Sequence, residues 1–135
     1  MPIYGDGEQT RDWIYVEDHA AALLMIGNRG KIGSTFQITS GESLQNMEFV
    51  KQLSDHLYRV ASSIFDRSKF ERLKRSSIVH VADRPGHDVR YAMSNDHLRA
   101  ELGWQPKVSW NEGLLLTIQW YLDHPEFFAK QHAAG

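Results

Sequence analysis

The chain has 135 residues, a length typical of one domain, and its 41% apolar and 24% charged residues are the proportions of an ordinary globular protein. Fifteen basic and 17 acidic residues leave a net charge of -2, which argues against a general nucleic-acid or membrane-surface partner. The chain has no cysteine, so disulfide and thiolate chemistry are excluded, and the composition favours the reducing cytoplasm.

The first 40 residues predict a hairpin, a helix and a further strand. Pro2–Tyr4 is expected to be a strand, residues 5–7 a turn, and the aromatic and β-branched run Arg11–Val16 the second strand of the hairpin. The pattern then becomes helical from Glu17 to Ile26. A strand over Thr35–Thr39 is expected to follow.

The predicted helix has an apolar side and is followed by regularly spaced glycines. Its apolar side is expected to consist of Ala21, Leu23, Leu24 and Met25. Residues 27–33 match G-x-x-G-x-x-G, a variant of the dinucleotide-binding fingerprint. That fingerprint needs a strand before the glycines and a helix after them, whereas here the order is reversed. We therefore interpret these glycines as the end of the helix and not as a cofactor site.

The middle of the chain predicts a second helix, a segment with little pattern and a strand. Ser43 is expected to cap a helix over Leu44–Tyr58. Residues 61–77 have a poor signal and are interpreted as an insertion or mobile segment. The β-branched run Ile78–Val81 is expected to be a strand beside the one at Thr35–Thr39.

Two helices are predicted in the last third. Ser94 is expected to cap the first, which ends at Leu102-Gly103. Ser109 and Glu112 form a capping box at the start of the second, which is expected to end near His124-Pro125. Residues 127–135 are expected to be a frayed tail. The residues of the second helix predicted to face the core are Leu115, Ile118, Tyr121 and Leu122.

These elements predict a single domain over residues 1–135, a small α+β lobe with short strands and about four helices. No apolar run approaches the roughly 18 residues of a membrane span, and no signal-peptide pattern is present. The seven histidines form no H-E-x-x-H or other tight ligand pair, so no metal site is expected.

The stretch from Val81 to Ala92 carries the chemistry of anion capture. The Arg84 guanidinium offers paired donors suited to phosphate, and His87 adds a donor across a Pro-Gly turn. Asp83 and Asp88 are placed to orient those donors. The alternative is an exposed turn with local salt bridges, which the composition alone leaves open.

Several short motifs of uncommon composition are spread in order over nearly the whole chain. They are Pro2–Gly7, Arg11–Ala20, Asn46, Asp83–Asp88, Arg90–Ala92, Glu101–Trp104, Gly113, Thr117, Trp120 and Tyr121. Together they resemble the C-terminal part of dTDP-glucose 4,6-dehydratases, nucleotide-sugar enzymes of the extended short-chain dehydrogenase/reductase superfamily. The resemblance implies the substrate-binding region of a Rossmann-type enzyme without its nucleotide-binding N-terminal half.

The resemblance also implies roles for six residues. Arg11 and Arg84 would bind the oxygens of a dTDP-sugar diphosphate, and Asn46 and His87 would help to hold the same group. Pro2 and Tyr4 would lie along the nucleoside of dTDP or a dTDP-sugar.

The family's cofactor half is expected to be absent from this chain. In the family it carries the glycine fingerprint, catalytic carboxylates and a Tyr-x-x-x-Lys pair, all before the position of Pro2. None of the six lysines here has tyrosine four residues before it. A hydride shuttle needs nicotinamide beside such a tyrosine, so we expect no catalytic residue and no cofactor in this chain, although the full-length family uses NAD.

Two classes of function are therefore open. The first is a nucleotide-sugar binding lobe that is not catalytic alone. The second is a structural or interaction protein, because an apolar helix side and a strand edge left uncovered would promote self-association into a homo-oligomer. A third reading is a subunit that completes an active site with a separate cofactor domain.

Overall fold

The computed structural model describes residues 1–64 and 78–127, which form a small α/β lobe. Within these ranges four helices and four three-residue strands occur, which confirms the predicted fold class. In chain order they are β1 Pro2–Tyr4, β2 Thr10–Asp12, α1 Val16–Arg29, β3 Ser43–Gln45, α2 Asn46–Ile64, β4 Val79–Val81, α3 Asp96–Leu102 and α4 Trp110–Asp123.

The strands form two separate two-stranded sheets. β1 pairs in parallel with β4, and Ile3 lies opposite His80. β2 pairs antiparallel with β3. The predicted hairpin between the first two strands is therefore wrong. Gly5 and Gly7 have φ angles of 59° and 80°, and this left-handed turn leads the chain from one sheet into the other.

Three boundaries in the middle of the chain differ from the prediction. Thr35–Thr39 is not a strand. The alternating Phe36 and Ile38, which predicted one, pack against the core without a neighbouring strand among the described residues. Ser43 belongs to β3 and does not cap a helix. Helix α2 instead begins at Asn46 and continues through residues 61–64, which the prediction assigned to an insertion. The rest of that segment, 65–77, lies outside the described residues, as do residues 128–135 of the predicted tail.

The core lies between α1, α3 and the connector that follows α3. Its buried members are Ala22, Leu98, Leu102 and Trp104. Of the predicted apolar side of α1, Met25 packs against this core, whereas Ala21 is exposed and Leu23 and Leu24 are 54% and 68% exposed. Residues 20–26 are apolar around the whole helix, so periodicity did not identify the face that packs.

Helix ends follow local chemistry more closely. Helix α1 runs past Gly27 to Arg29, and the Gly30 N–H donates to the Ile26 carbonyl at 2.7 Å. Gly103 ends α3 with a φ of 73°, as expected for a left-handed cap. The position before α3 is Asn95 and not the predicted Ser94, although the Ser94 hydroxyl accepts from the Asp96 N–H at 3.0 Å.

Helix α4 begins as predicted but buries a different face. The Ser109 hydroxyl accepts from the Glu112 N–H, which is the predicted cap. Of the four residues predicted to face the core, only Ile118 is buried, and Leu114 joins it. The other three, Leu115, Tyr121 and Leu122, remain partly exposed. Helix α4 ends at Asp123, next to the predicted stop.

An aromatic cluster connects α2 and α4 to the segment after β2. The rings of Trp13 and Phe49 stack with centroids 4.0 Å apart, and Trp110 lies 5.2 Å from Phe49. The Trp110 Nε1–H donates to Gln52 Oε1 at 2.6 Å. Because Trp13 directly follows β2, this cluster holds the strand from which Arg11 projects. No helix within the two described ranges is both long and apolar enough to cross a membrane.

Candidate anion-binding site

The candidate site lies where β2 meets the loop after β4. The Thr10 N–H donates to the Val89 carbonyl at 2.8 Å, and the Tyr91 N–H donates to the Thr10 carbonyl at 3.0 Å. This short parallel contact joins segments about eighty residues apart in the chain. It brings the Arg11 side chain against the loop that contains Arg84 and His87.

The loop is shaped by a turn and by one carboxylate. Gly86 has a φ of 71°, and the His87 N–H donates to the Arg84 carbonyl at 3.1 Å. Asp83 Oδ1 accepts from the Arg84 N–H at 2.8 Å and lies 2.7 Å from His87 Nδ1, while its Oδ2 accepts from Gln9 at 3.0 Å. The hydrogen bond from His87 lowers the pKa of Asp83 below 3.8, with the Arg84 N–H adding to it. Asp83 is therefore a carboxylate at neutral pH.

The His87 ring has a protonation state that its neighbours define. Nη2 of Arg11 lies 3.0 Å and Nη2 of Arg84 lies 2.9 Å from His87 Nε2. A guanidinium can only donate, so Nε2 must be the acceptor. Nδ1 then carries the hydrogen and donates it to Asp83. The ring is a neutral imidazole whose single lone pair is shared by two cations, and its side chain is only 7% exposed.

Each arginine is also supported by an aromatic ring. The Arg84 guanidinium lies 5.0 Å from the centre of the Tyr4 ring, and that of Arg11 lies 4.7 Å from the centre of Tyr91. Arg11 donates as well to the carbonyl oxygens of Thr10 and Asp88. The Tyr91 hydroxyl donates to the Asp88 carboxylate, and this bond raises the pKa of Tyr91 above 10.0.

These groups surround an open cavity of about 420 Å³, a volume suited to a small anionic group. Across the two described ranges, neither Arg11 nor Arg84 pairs with a carboxylate; Asp83 instead accepts the hydrogen bond from the neutral His87 ring. The close contact between a basic and an acidic side chain in this turn, His87 with Asp83, is local, and both arginines remain directed at the cavity. The cavity is lined by Arg11, Arg84, Pro85, Gly86, His87, Asp88 and Tyr91.

The structure brings together four of the six predicted residues. Arg11, Arg84 and His87 share one hydrogen-bonded centre, and Tyr4 supports Arg84 from beneath. The other two lie elsewhere. Pro2 is opposite Val79 at the far end of β1, and Asn46 starts α2 with its N–H on the Gln9 carbonyl. Neither lines the cavity.

Two residues of the site were missed by reasoning from sequence. Tyr91 is part of the motif Arg90–Ala92, but no neighbouring residue in the sequence indicates its contact with Arg11. Gln9 is 5% exposed and supports Asp83 from β2's side of the site. Both contacts are long-range, so no local pattern reports them.

The part of the chain that the structure describes contains no group of three His, Asp or Glu side chains able to hold a metal ion. The glycine-rich segment predicted to end α1 does so. Gly30 already donates its N–H to Ile26, and this end of the helix presents carbonyl oxygens, so the segment does not fit a dinucleotide phosphate.

Comparison with known proteins gives the same family throughout. Residues 1–117 match the family model described as GDP-mannose 4,6 dehydratase. The chain is 40% identical over 122 residues to a dTDP-glucose 4,6-dehydratase of Haemophilus influenzae and 42% identical over 125 residues to that of Neisseria meningitidis. These alignments cover 90% and 92% of this chain but 35% and 34% of the relatives. The chain thus spans about a third of the length of the curated relatives it matches.

Solved structures agree with this comparison. A dTDP-glucose 4,6-dehydratase from Streptomyces venezuelae, with NAD and TYD bound, is 33% identical and superposes with a TM-score of 0.78. The dTDP-glucose 4,6-dehydratase from Bacillus anthracis, in complex with NAD, is 32% identical and superposes with a TM-score of 0.73. The alignments cover 94% and 93% of this chain and 35% of each structure. The predicted resemblance to these Rossmann-type enzymes is confirmed.

Proposed function

The chain belongs to the GDP-mannose 4,6-dehydratase family and is dTDP-glucose 4,6-dehydratase-like, and from this premise we propose that it binds the diphosphate of a dTDP-sugar. One observation carries the proposal. Two guanidinium groups converge on a single neutral nitrogen without a carboxylate partner among the described residues. A diphosphate offers these donors several charged oxygens in place of one shared lone pair.

The six predicted residues divide the ligand between them. Arg11 and Arg84 bind the diphosphate oxygens, and their positions over Tyr91 and Tyr4 support this role. His87 contacts the same group, whereas the role of Asn46, which does not line the cavity, rests on the family resemblance alone. The nucleoside lies along β1, where Pro2 and Tyr4 are exposed.

This chain supplies affinity and not the redox step. NAD, which is bound in the solved Streptomyces venezuelae and Bacillus anthracis relatives, would accept and return a hydride when bound to a complete enzyme. No lysine of this chain has tyrosine four residues before it, and the glycine segment after α1 does not fit the cofactor phosphates. We therefore expect no dehydratase activity from the purified chain, in the cytoplasmic setting that its cysteine-free composition favours.

Calorimetric titration of dTDP into the purified chain tests the proposal. We expect the chain to bind dTDP in the micromolar range and the Arg84→Ala variant to show no binding. Arg90→Ala is the matched control, since Arg90 lies in the same loop but does not line the cavity, and it should bind normally. UDP reports on base preference. No heat at millimolar dTDP, or equal binding by Arg84→Ala, would contradict the proposal.

A second candidate function is assembly through the outer helices. Leu23 and Leu24 on α1 and Leu115, Leu116 and Trp120 on α4 are between 39% and 68% exposed. Such apolar surface favours association with a second copy or with a separate cofactor domain. Light scattering after size-exclusion chromatography should give a mass above that of one chain, which Leu24→Asn reduces. A clean monomer at high concentration and no captured partner in a pull-down would contradict it.

A further inference from the structure

The hydrogen bonding around His87 has a consequence for the proton balance of ligand binding. Nε2 is an acceptor, because two guanidinium groups donate to it, and Nδ1–H donates to Asp83. Every hydrogen-bonding position of the ring is used. The neutral form is therefore required by its partners, since protonated Nε2 would have no lone pair for either arginine.

A bound diphosphate would reverse this requirement. The inference rests on the proposed function, in which Arg11 and Arg84 turn their donors to phosphate oxygens. Nε2 then faces a phosphate oxygen with its lone pair, and two acceptors in contact repel each other. A proton on Nε2 converts that contact into an N–H···O hydrogen bond to an anion.

The charged and titratable groups facing the ring agree with this change. Asp83 contacts Nδ1 at 2.7 Å, while Arg11 from β2 and Arg84 from the same loop face Nε2. The centre of the Tyr4 ring lies 6.2 Å from that of His87, and the two rings are nearly perpendicular. The Asp88 carboxylate is engaged by the Tyr91 hydroxyl. Before binding, the two cations oppose an imidazolium; after binding, the ligand charge neutralises them and Asp83 favours it.

We propose that binding of a nucleoside diphosphate sugar takes up one proton at His87 Nε2, and that Asp83 is the positioning residue that stabilises the imidazolium. The proton comes from the buffer, the Nε2 lone pair forms the new N–H bond, and no bond of the ligand breaks. Asp83 is suited to this role because Gln9 and the Arg84 N–H hold both of its oxygens in place.

The experiment is calorimetric titration of dTDP-glucose in two buffers of equal pH and different ionisation enthalpy. A sugar diphosphate has no phosphate group that titrates near neutrality, so a proton taken up comes to the protein. At a pH about one unit above the ordinary histidine range, the difference in heat should correspond to nearly one proton per ligand. The affinity should fall by up to about tenfold per pH unit as the pH rises through this region.

Three variants assign the proton. His87→Gln cannot titrate, so its binding heat should be the same in both buffers. Asp83→Asn keeps an oxygen for Nδ1–H but loses the charge, so its proton uptake should move to lower pH. His19→Gln on α1, outside the cavity, should behave like the original chain. Thermal unfolding of each variant separates these effects from loss of fold.

Each outcome decides a different statement. Binding with equal heat in both buffers would overturn the proton uptake and leave the proposed function standing. Uptake that persists in His87→Gln would overturn the assignment to His87, and an unchanged pH profile in Asp83→Asn would overturn the role of Asp83. Absence of binding to the original chain would overturn both this inference and the proposed function.

Discussion

His87 and His56 both accept a hydrogen bond from an arginine, yet their surroundings differ. His56 is 3% exposed between α2 and α4; its Nδ1 lies 3.1 Å from Arg59 and its Nε2 2.7 Å from Asn111 Oδ1. Since Arg59 can only donate, Nδ1 is the acceptor and Nε2–H donates to the amide oxygen. Each ring nitrogen of His56 has one matched partner.

His87 has the opposite balance. One of its nitrogens is shared by two guanidinium groups, the other faces a carboxylate, and a cavity opens beside it. A histidine whose bonds are matched one to one holds two helices together. Where two guanidinium groups share one nitrogen, as at His87, their remaining N–H donors are available to the anion proposed to bind there. The number of partners on each ring nitrogen therefore separates the two histidines.

The largest effect should come from Arg11→Ala, which tests the binding side of the comparison. Loss of one charged partner of the diphosphate should weaken dTDP binding on the order of 100-fold, since such hydrogen bonds contribute roughly 1.5 to 3 kcal/mol each. The free energy of unfolding should fall by roughly 1 kcal/mol, because Arg11 also donates to the Asp88 carbonyl and to His87. Calorimetry and urea unfolding measure the two quantities. An Arg11→Ala variant that loses much stability but binds dTDP normally would show that Arg11 has a structural and not a binding role.

His56→Ala tests the structural side. Removal of the buried His56 ring takes a partner from both Asn111 and Arg59 and leaves a small cavity, which together should cost about 2 kcal/mol of unfolding free energy. Binding of dTDP by the folded fraction should be unchanged, because His56 does not line the cavity. Urea denaturation followed by tryptophan fluorescence measures the loss. A shift in affinity without a shift in stability would show that the two histidines are not separate in function.

Tyr91→Phe should have a smaller effect that sharpens the account of the cavity. The ring that supports Arg11 remains, while the hydrogen bond to Asp88 is lost. Because the lost bond is to the Asp88 carboxylate and not to the ligand, only part of its roughly 1.5 to 3 kcal/mol should affect binding, and dTDP affinity should fall by about fivefold or less. Tyr91→Ala removes the ring as well and should weaken binding further. Equal affinities for the two variants would exclude a contribution from the ring.

The smallest effect concerns stability in acid. The pKa of Asp83 is lowered in the folded chain, so its ionisation contributes stability that is present above the ordinary value of 3.8. That contribution is lost as the pH falls from 3.8 through the lowered pKa. Asp83→Asn should therefore show a shallower loss of stability than the original chain in this window. Urea midpoints at a series of pH values test it, and parallel curves would count against the interaction.

Local chemistry was predictable wherever the signal lies within a few residues. The Ser109 cap, the left-handed Gly103 and the turn at Pro85-Gly86 were all expected from neighbouring residues and are present. The anion-binding pair of Arg84 and His87 also lies within four residues of the chain. The same turn places His87 Nδ1 2.7 Å from Asp83 Oδ1, four residues earlier in the chain.

Pairing and face selection were not predictable in this way. Strand β1 finds its partner at β4, and not at the nearer β2, because Gly5 and Gly7 redirect the chain. Helix α1 is apolar on all sides, so only its contacts with α3 determine that Ala22 is buried and Leu24 exposed. Asn46 shows the same limit for the site, since a motif match does not place it at the cavity.

The sequence alone was enough to identify the family, the four helices and the residues with anion-binding chemistry, since these depend on short motifs and helical periodicity. Only the tertiary structure decided that Arg11 meets His87 and that Tyr91 and Gln9 complete the site. Those contacts join segments about eighty residues apart, and their geometry comes from the short contact between β2 and the loop after β4. Long-range contacts of this kind leave no pattern in the local sequence, because many different chains could bring the same groups together.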